Sequence, residues 1–186
     1  MKPNATTQAT TYKDMAWDGA SFGSTPYYGF RGVYWLGLNA SWGFGLDYSH
    51  AKVIAERPPA LNAIVSHLEF TDGLNLIIPT AYYRYQWTDR LAPYVGLGVG
   101  VTVPSVEVTL RPVDGFDATP THQYEFGGLA VQATAGLSGK IWGPISAFGE
   151  YKIAYSNNDV SIRNGGSEQT NLFTNQVVVG LTYSFR

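Results

Sequence analysis

Apolar and polar positions alternate with period two along most of the chain, most sharply over residues 91–103, LAPYVGLGVGVTV. Val95, Leu97, Val99, Val101 and Val103 fall on one face, and Tyr94, Gly96, Gly98, Gly100 and Thr102 on the other. Such a strand has one branched apolar face and one face nearly bare of side chains. A narrow closed barrel uses both: bulky residues meet lipid, and inward glycines leave room for side chains from other strands.

The same alternation predicts six more strands. Over residues 26–35, Tyr28, Phe30 and Tyr34 oppose a face carrying Arg31; over residues 42–53, Phe44, Leu46 and Tyr48 oppose Asp47, and His50 and Lys52 continue the outward register. Residues 74–86 place Arg84 inward and Tyr83, Tyr85 and Trp87 outward. Over residues 129–138, Leu129, Val131 and Leu137 face out and Gln132 and Thr134 in; over residues 145–155, Tyr151 and Ile153 face out and Glu150 and Lys152 in. The last strand sets Val177, Val179, Leu181, Tyr183 and Phe185 against Gln176, Val178, Gly180, Thr182 and Ser184.

Short turns near residues 38–41, 88–90 and 139–144 alternate with long connections over about residues 54–73, 111–123 and 156–170. That asymmetry separates the periplasmic from the extracellular end of outer-membrane barrels. The expected fold class is therefore all-β, a small antiparallel transmembrane β-barrel in one domain, with residues 1–25 as a polar N-terminal segment or first loop and residues 26–186 as barrel strands. Parity calls for an eighth strand ahead of residue 26, and its only candidate, residues 4–17, is the least strand-like stretch. Strand one is then either unusually polar or largely missing.

Composition narrows the partners. A net charge of −2 with scattered Lys and Arg argues against nucleic acid. The absence of Cys excludes disulfides and thiol chemistry. No apolar run is long enough for a membrane helix. The first residues lack the apolar core of a secretory signal, so the expectation is that a signal peptide has been removed. Localisation in a bacterial outer membrane, as a monomer among its lipids, completes the reading.

Several segments, in this order, resemble the rhizobial lipid A oxidase family of outer-membrane barrels. They are Trp17-Asp-Gly-Ala-Ser-Phe22 with Pro26-Tyr-Tyr-Gly29 and Arg31; Gly45-Leu-Asp-Tyr-Ser-His-Ala-Lys-Val53; and Leu68-Glu-Phe-Thr-Asp-Gly-Leu-Asn75 with Tyr83-Arg84. Pro93-Tyr-Val-Gly96, Val103-Pro-Ser-Val-Glu-Val108 and Phe148-Gly-Glu-Tyr-Lys152 extend the resemblance over most of the chain. It implies oxidation of the proximal glucosamine of lipid A to 2-aminogluconate with oxygen as acceptor, and a first strand ahead of the segment resembling residues 3–22. It carries over no catalytic residue.

Candidate chemistry has to come from the residues themselves. Arg31, Asp47, Arg84, Glu150 and Lys152 all point inward and could form an active site, but a barrel of this size fills its interior and must pair charges held there, so a structural ion-pair network is the preferred reading, and the same packing argues against a pore and leaves transport a weak third reading. Gly96-Leu-Gly-Val-Gly100 lies within a strand and opens no helix, so it is no dinucleotide loop, and no flavin or nicotinamide site is apparent. His67 and Glu69, two apart, share a face of an extended segment and are candidates for a divalent metal, with Asp72 and Asn75 close by; the alternative is a solvated polar loop. His50 and Lys52 fall at the extracellular rim, where they could hold lipopolysaccharide phosphates or simply snorkel. In the enzyme reading Glu69 is the base at the sugar's C1 hydroxyl, with Asp72 beside it and Glu107 as the next candidate, and Asn75 joins His50 and Lys52 in binding substrate. The alternative is a non-catalytic small barrel with a structural or surface-binding role. Convergence of carboxylates and His at the rim separates the two.

Overall fold

Backbone pairing turns the alternation into one antiparallel sheet. A computed structural model describes residues 17–19, 27–37, 41–55, 65–110, 121–124, 126–162 and 166–185. Its strands are β1 (Trp17–Gly19), β2 (Tyr28–Trp35), β3 (Trp42–Ala55), β4 (Val65–Arg84), β5 (Leu91–Leu110), β6 (Thr121–Tyr124), β7 (Gly128–Trp142), β8 (Ile145–Ile162) and β9 (Gly166–Tyr183). β1 and β2 pair with successive stretches of the same β3 edge, and β6 and β7 with successive stretches of one β5 edge. The result is a curled half-barrel sheet of seven antiparallel strands, in which β2, β3, β4, β5, β7, β8 and β9 lie side by side in chain order.

The expected two faces are present throughout. Phe30, Leu97, Val99, Val177 and Val179 lie exposed on the outer face, whereas Leu74, Leu76, Ile78 and Tyr82 are buried on the inner one. Every inward glycine of β5 meets a neighbour on β4. A Cβ on Gly96 would stand 2.6 Å from the Tyr82 ring, and one on Gly98 would stand 2.5 Å from Thr80 Oγ1. Gly136 of β7 gives way in the same manner to Tyr94, whose ring carbon would lie 2.6 Å from an added Cβ. These positions are small because the interior of a narrow barrel is already full.

Two expectations change. The long connections are much shorter than the sequence suggests, because β3, β4, β5, β8 and β9 run on as paired ladders beyond the apolar region. Residues 65–73 are strand, not loop. Alternation marks a strand only while one of its faces is apolar, and backbone pairing continues where that contrast has faded. The second change concerns the eighth strand. Residues 4–16 lie outside the described residues, and β1 prolongs the β2 edge rather than adding a ribbon, since Trp17 pairs with Ala55 beyond the Tyr28–His50 pair. Among the described residues no pairing joins β2 to β9.

Candidate functional site

Inside the curled sheet, the charges gather in one cluster. Arg31 Nε donates to Asp47 Oδ2 at 2.9 Å, and its two terminal nitrogens donate to Glu150 at 2.8 and 2.7 Å. Lys152 Nζ lies 2.9 Å from Asp47 Oδ1 and 3.5 Å from Glu150 Oε1. Tyr94 donates its hydroxyl to Glu150 at 2.6 Å, and Tyr82 donates to Asp47. The Arg31 guanidinium also stands 5.0 Å from the Tyr82 ring centre and 5.7 Å from that of Phe148. Two cations thus face two carboxylates, with Asp47 only 2% exposed and Lys152 4%. Fork-shaped, hydrogen-bonded pairing of this kind is what allows charge to sit in a desolvated interior. The predicted network is present except for Arg84, which stands apart with its guanidinium 3.8 Å from the Trp35 ring centre.

The network joins β2 to β8 across the interior of the curl. Its carboxylates are neutralised in place, so they are poor candidates for proton abstraction.

At the other end, where the strands outrun the apolar belt, the geometry differs from expectation. His50 keeps the outward register of Tyr48 but is not exposed: its relative exposure is 4%, with Tyr28 stacked on its ring at 4.7 Å. Its Nδ1 is 3.0 Å from Asn75 Oδ1, which also accepts from Tyr48 Oη at 2.7 Å. Asn75 Nδ2 donates to the Val103 carbonyl at 3.0 Å. Asn75 is therefore committed on both ends and buried, and it positions His50 rather than presenting itself to substrate or metal. His50 is buried as well, so it does not present an exposed ring to a phosphate. Sequence patterning could not see this, since parity gives a face but not what covers it.

The side chains of Lys52, His67, Glu69, Asp72 and Glu107 lie outside the described residues; their backbone register does not. Lys52 stands at the register shift between Ala51 and Val53. Glu69 pairs with Glu107, and Glu107 in turn with His122; His67 pairs with Thr109. Asp72 lies within the irregular stretch between Glu69 and Leu74. The register thus aligns two carboxylate residues and a histidine in one cross-strand row, and His122 was not among the candidates. A period-two link from Val108 to residue 121, across the connection, would have been needed to find it. Directly opposed like charges weaken a sheet unless something sits between or beside them.

Among the described residues no three His, Asp or Glu side chains are grouped to hold a metal. No family model, curated protein or solved structure matches the chain. The outer face offers one further feature, a groove of about 660 Å³ running past Phe44, Ala81, Leu97, Val131, Ile153 and Phe173. Its floor is formed where small residues, Ala81 and Ala133, interrupt the bulky row.

Proposed function

We propose that the protein is an outer-membrane β-barrel enzyme that oxidises the proximal glucosamine of lipid A to 2-aminogluconate. The observation that carries the reading is the cross-strand row of Glu69, Glu107 and His122 at the end where the strands extend beyond the apolar belt. Acid–base residue types in one cross-strand register row support catalysis at that end. The apolar outer face, with its groove, supports lateral approach of a lipid, and the sequence resemblance supports the substrate class.

In this reading the substrate presents a free hydroxyl at C1. One carboxylate of the row takes the hydroxyl proton while the C1–H bond gives up its electron pair. Two electrons and two protons pass to oxygen, forming hydrogen peroxide, and the resulting lactone opens with water. Asp72 and Lys52 stand near enough in sequence to serve as secondary acid and phosphate contact. A divalent metal held by His67 and Glu69 would speed the electron transfer; Asn75 contributes nothing to such a site, because both ends of its amide are engaged.

Mass spectrometry of lipid A treated with the purified protein is the test, read together with peroxide release. Addition of one oxygen atom to the proximal sugar is expected, and Glu69→Gln should lower the rate by about a hundred- to ten-thousand-fold, the usual worth of positioned proton transfer; a Glu69→Gln variant that keeps its rate moves the base to Glu107, whose Glu107→Gln variant should then show that loss. Both variants should fold, as shown by heat-modifiable gel mobility. Lipid A unaltered by a folded wild-type protein would favour the non-catalytic reading, for which the fully paired interior charges are the supporting observation.

A further inference from the structure

The polar cluster on the outer face fixes more than the position of His50. The Val103 carbonyl can only accept, so the Asn75 end facing it is the amide nitrogen, and the oxygen is the end facing His50 and Tyr48. An amide oxygen cannot donate. His50 Nδ1 must then carry a proton, and in the neutral imidazole the remaining nitrogen, Nε2, is an acceptor with a bare lone pair. That nitrogen is buried and has no hydrogen-bond partner. Leaving a buried polar atom unpaired is costly, and in a native fold such an atom calls for an explanation.

We propose that His50 Nε2 is the acceptor for a sugar hydroxyl of a glycolipid lying against the outer face, held in readiness by Asn75 and Tyr48. The surroundings fit an amphiphile. Tyr28 and Phe30 are exposed beside the imidazole, their rings 6.1 Å apart, and below them the apolar face continues through Leu46 and Phe44 to the start of the groove. Tyr28 stacks on the imidazole at 4.7 Å and is itself 43% exposed, so the binding proposed here requires that ring to move aside. The cluster also lies directly against the register shifts of β3 and β4, where Ala51 pairs with Leu74 and Val53 with Phe70. Bulges of that kind are a common means of aiming a side chain. The inference deepens the proposed function by naming a recognition residue, and rests on it only for the choice of ligand. It is independent of the Glu69 row, which stands farther along the strands.

Nitrogen-15 NMR of the histidine side chains, with the protein in dodecylphosphocholine micelles, tests it. That detergent has no hydroxyl of its own. His50, assigned by comparison with His50→Phe, should carry its proton on Nδ1 before ligand is added. Addition of lipid A with a free C1 hydroxyl should shift the Nε2 resonance saturably. His50→Phe should weaken lipid A binding roughly two- to tenfold, the effect of one net hydrogen bond, and Asn75→Leu should release the tautomer and weaken binding in the same range. A proton found on Nε2, an Nε2 resonance unmoved at saturating lipid A, or unchanged affinity in a folded His50→Phe variant would each overturn the assignment. The two readings fail separately: lipid A that shifts Nε2 but is never oxidised removes the enzyme and leaves the site, while oxidation with KM unchanged in His50→Phe does the reverse.

Discussion

Arg31 decides the charge balance of the interior. Its guanidinium satisfies oxygens of both Asp47 and Glu150, and Lys152 supplies the second positive charge, so loss of any one member leaves an uncompensated charge among buried groups. Glu150→Ala strips Arg31 of two hydrogen bonds and Tyr94 of one. We expect it to destabilise the fold by about 3–5 kcal/mol, the usual result of breaking a buried pair by removing one partner. Urea unfolding in micelles measures this. The double variant Arg31→Met with Glu150→Leu should lose clearly less than the sum of the single changes, because it removes both charges together. The sequence already identified these residues, since parity alone puts a charged side chain inside a closed sheet. It could not show that Arg31 pairs across to β8, or that Arg84 turns instead to Trp35, because those contacts depend on the curl and not on the strand.

At the scale of the strand, glycine has two unlike uses. A methyl group at Gly98 would collide with Thr80, with Ile78 at 2.6 Å and with the Pro79 carbonyl oxygen at 2.7 Å, whereas one at the exposed Gly149 would meet nothing within 4 Å. Gly98→Ala should therefore lower folding yield and thermal stability, by about 1–3 kcal/mol if the core yields as overpacked cores commonly do. Gly149→Ala should fold as well as the parent or slightly better, because alanine loses less backbone freedom than glycine on entering a strand. Thermal transitions followed by gel mobility distinguish the two. The glycine face of β5 was legible from alternation, and so were the centres of all seven strands. Their ends were not. The His67–Asp72 segment looks like loop because it is short and Asp72-Gly73 cuts it off from the apolar run at Leu74, although His67, Glu69 and Thr71 alternate with Leu68 and Phe70; its backbone goes on pairing with β5, Glu69 against Glu107. His122 escaped for the same reason: β6 is four residues long, and its only claim to be a strand is a partner distant in sequence.

For the molecule as a whole, the decisive asymmetry is an inside that holds the buried charges together with part of the apolar core, and an outside that is a broad exposed apolar band. Val177 and Val179 are 83% and 81% exposed, and Leu97, Val99 and Leu181 accompany them in a contiguous band. A monomer in water rarely exposes so large an apolar surface, and lipid is the cover proposed here. Aromatic rings border the band toward the short-turn end, where Trp42 packs edge-on against Tyr83 at 5.1 Å and Tyr183 against Phe185 at 4.9 Å. Interfacial girdles of outer-membrane barrels have this character. The prediction is that Val99→Arg, in the middle of the band, lowers insertion into phospholipid vesicles by about 2–4 kcal/mol, and that Val179→Arg does the same from the opposite side of the sheet. Asp89→Arg, exposed in the turn between β4 and β5, carries twice the change in charge and should insert like the parent, because that turn lies outside the band. Folding into vesicles, followed by protease protection, reads all three. Equal insertion of Val99→Arg and Asp89→Arg would mean that the apolar band is covered by something other than lipid, and the lateral approach on which the glycolipid site depends would go with it.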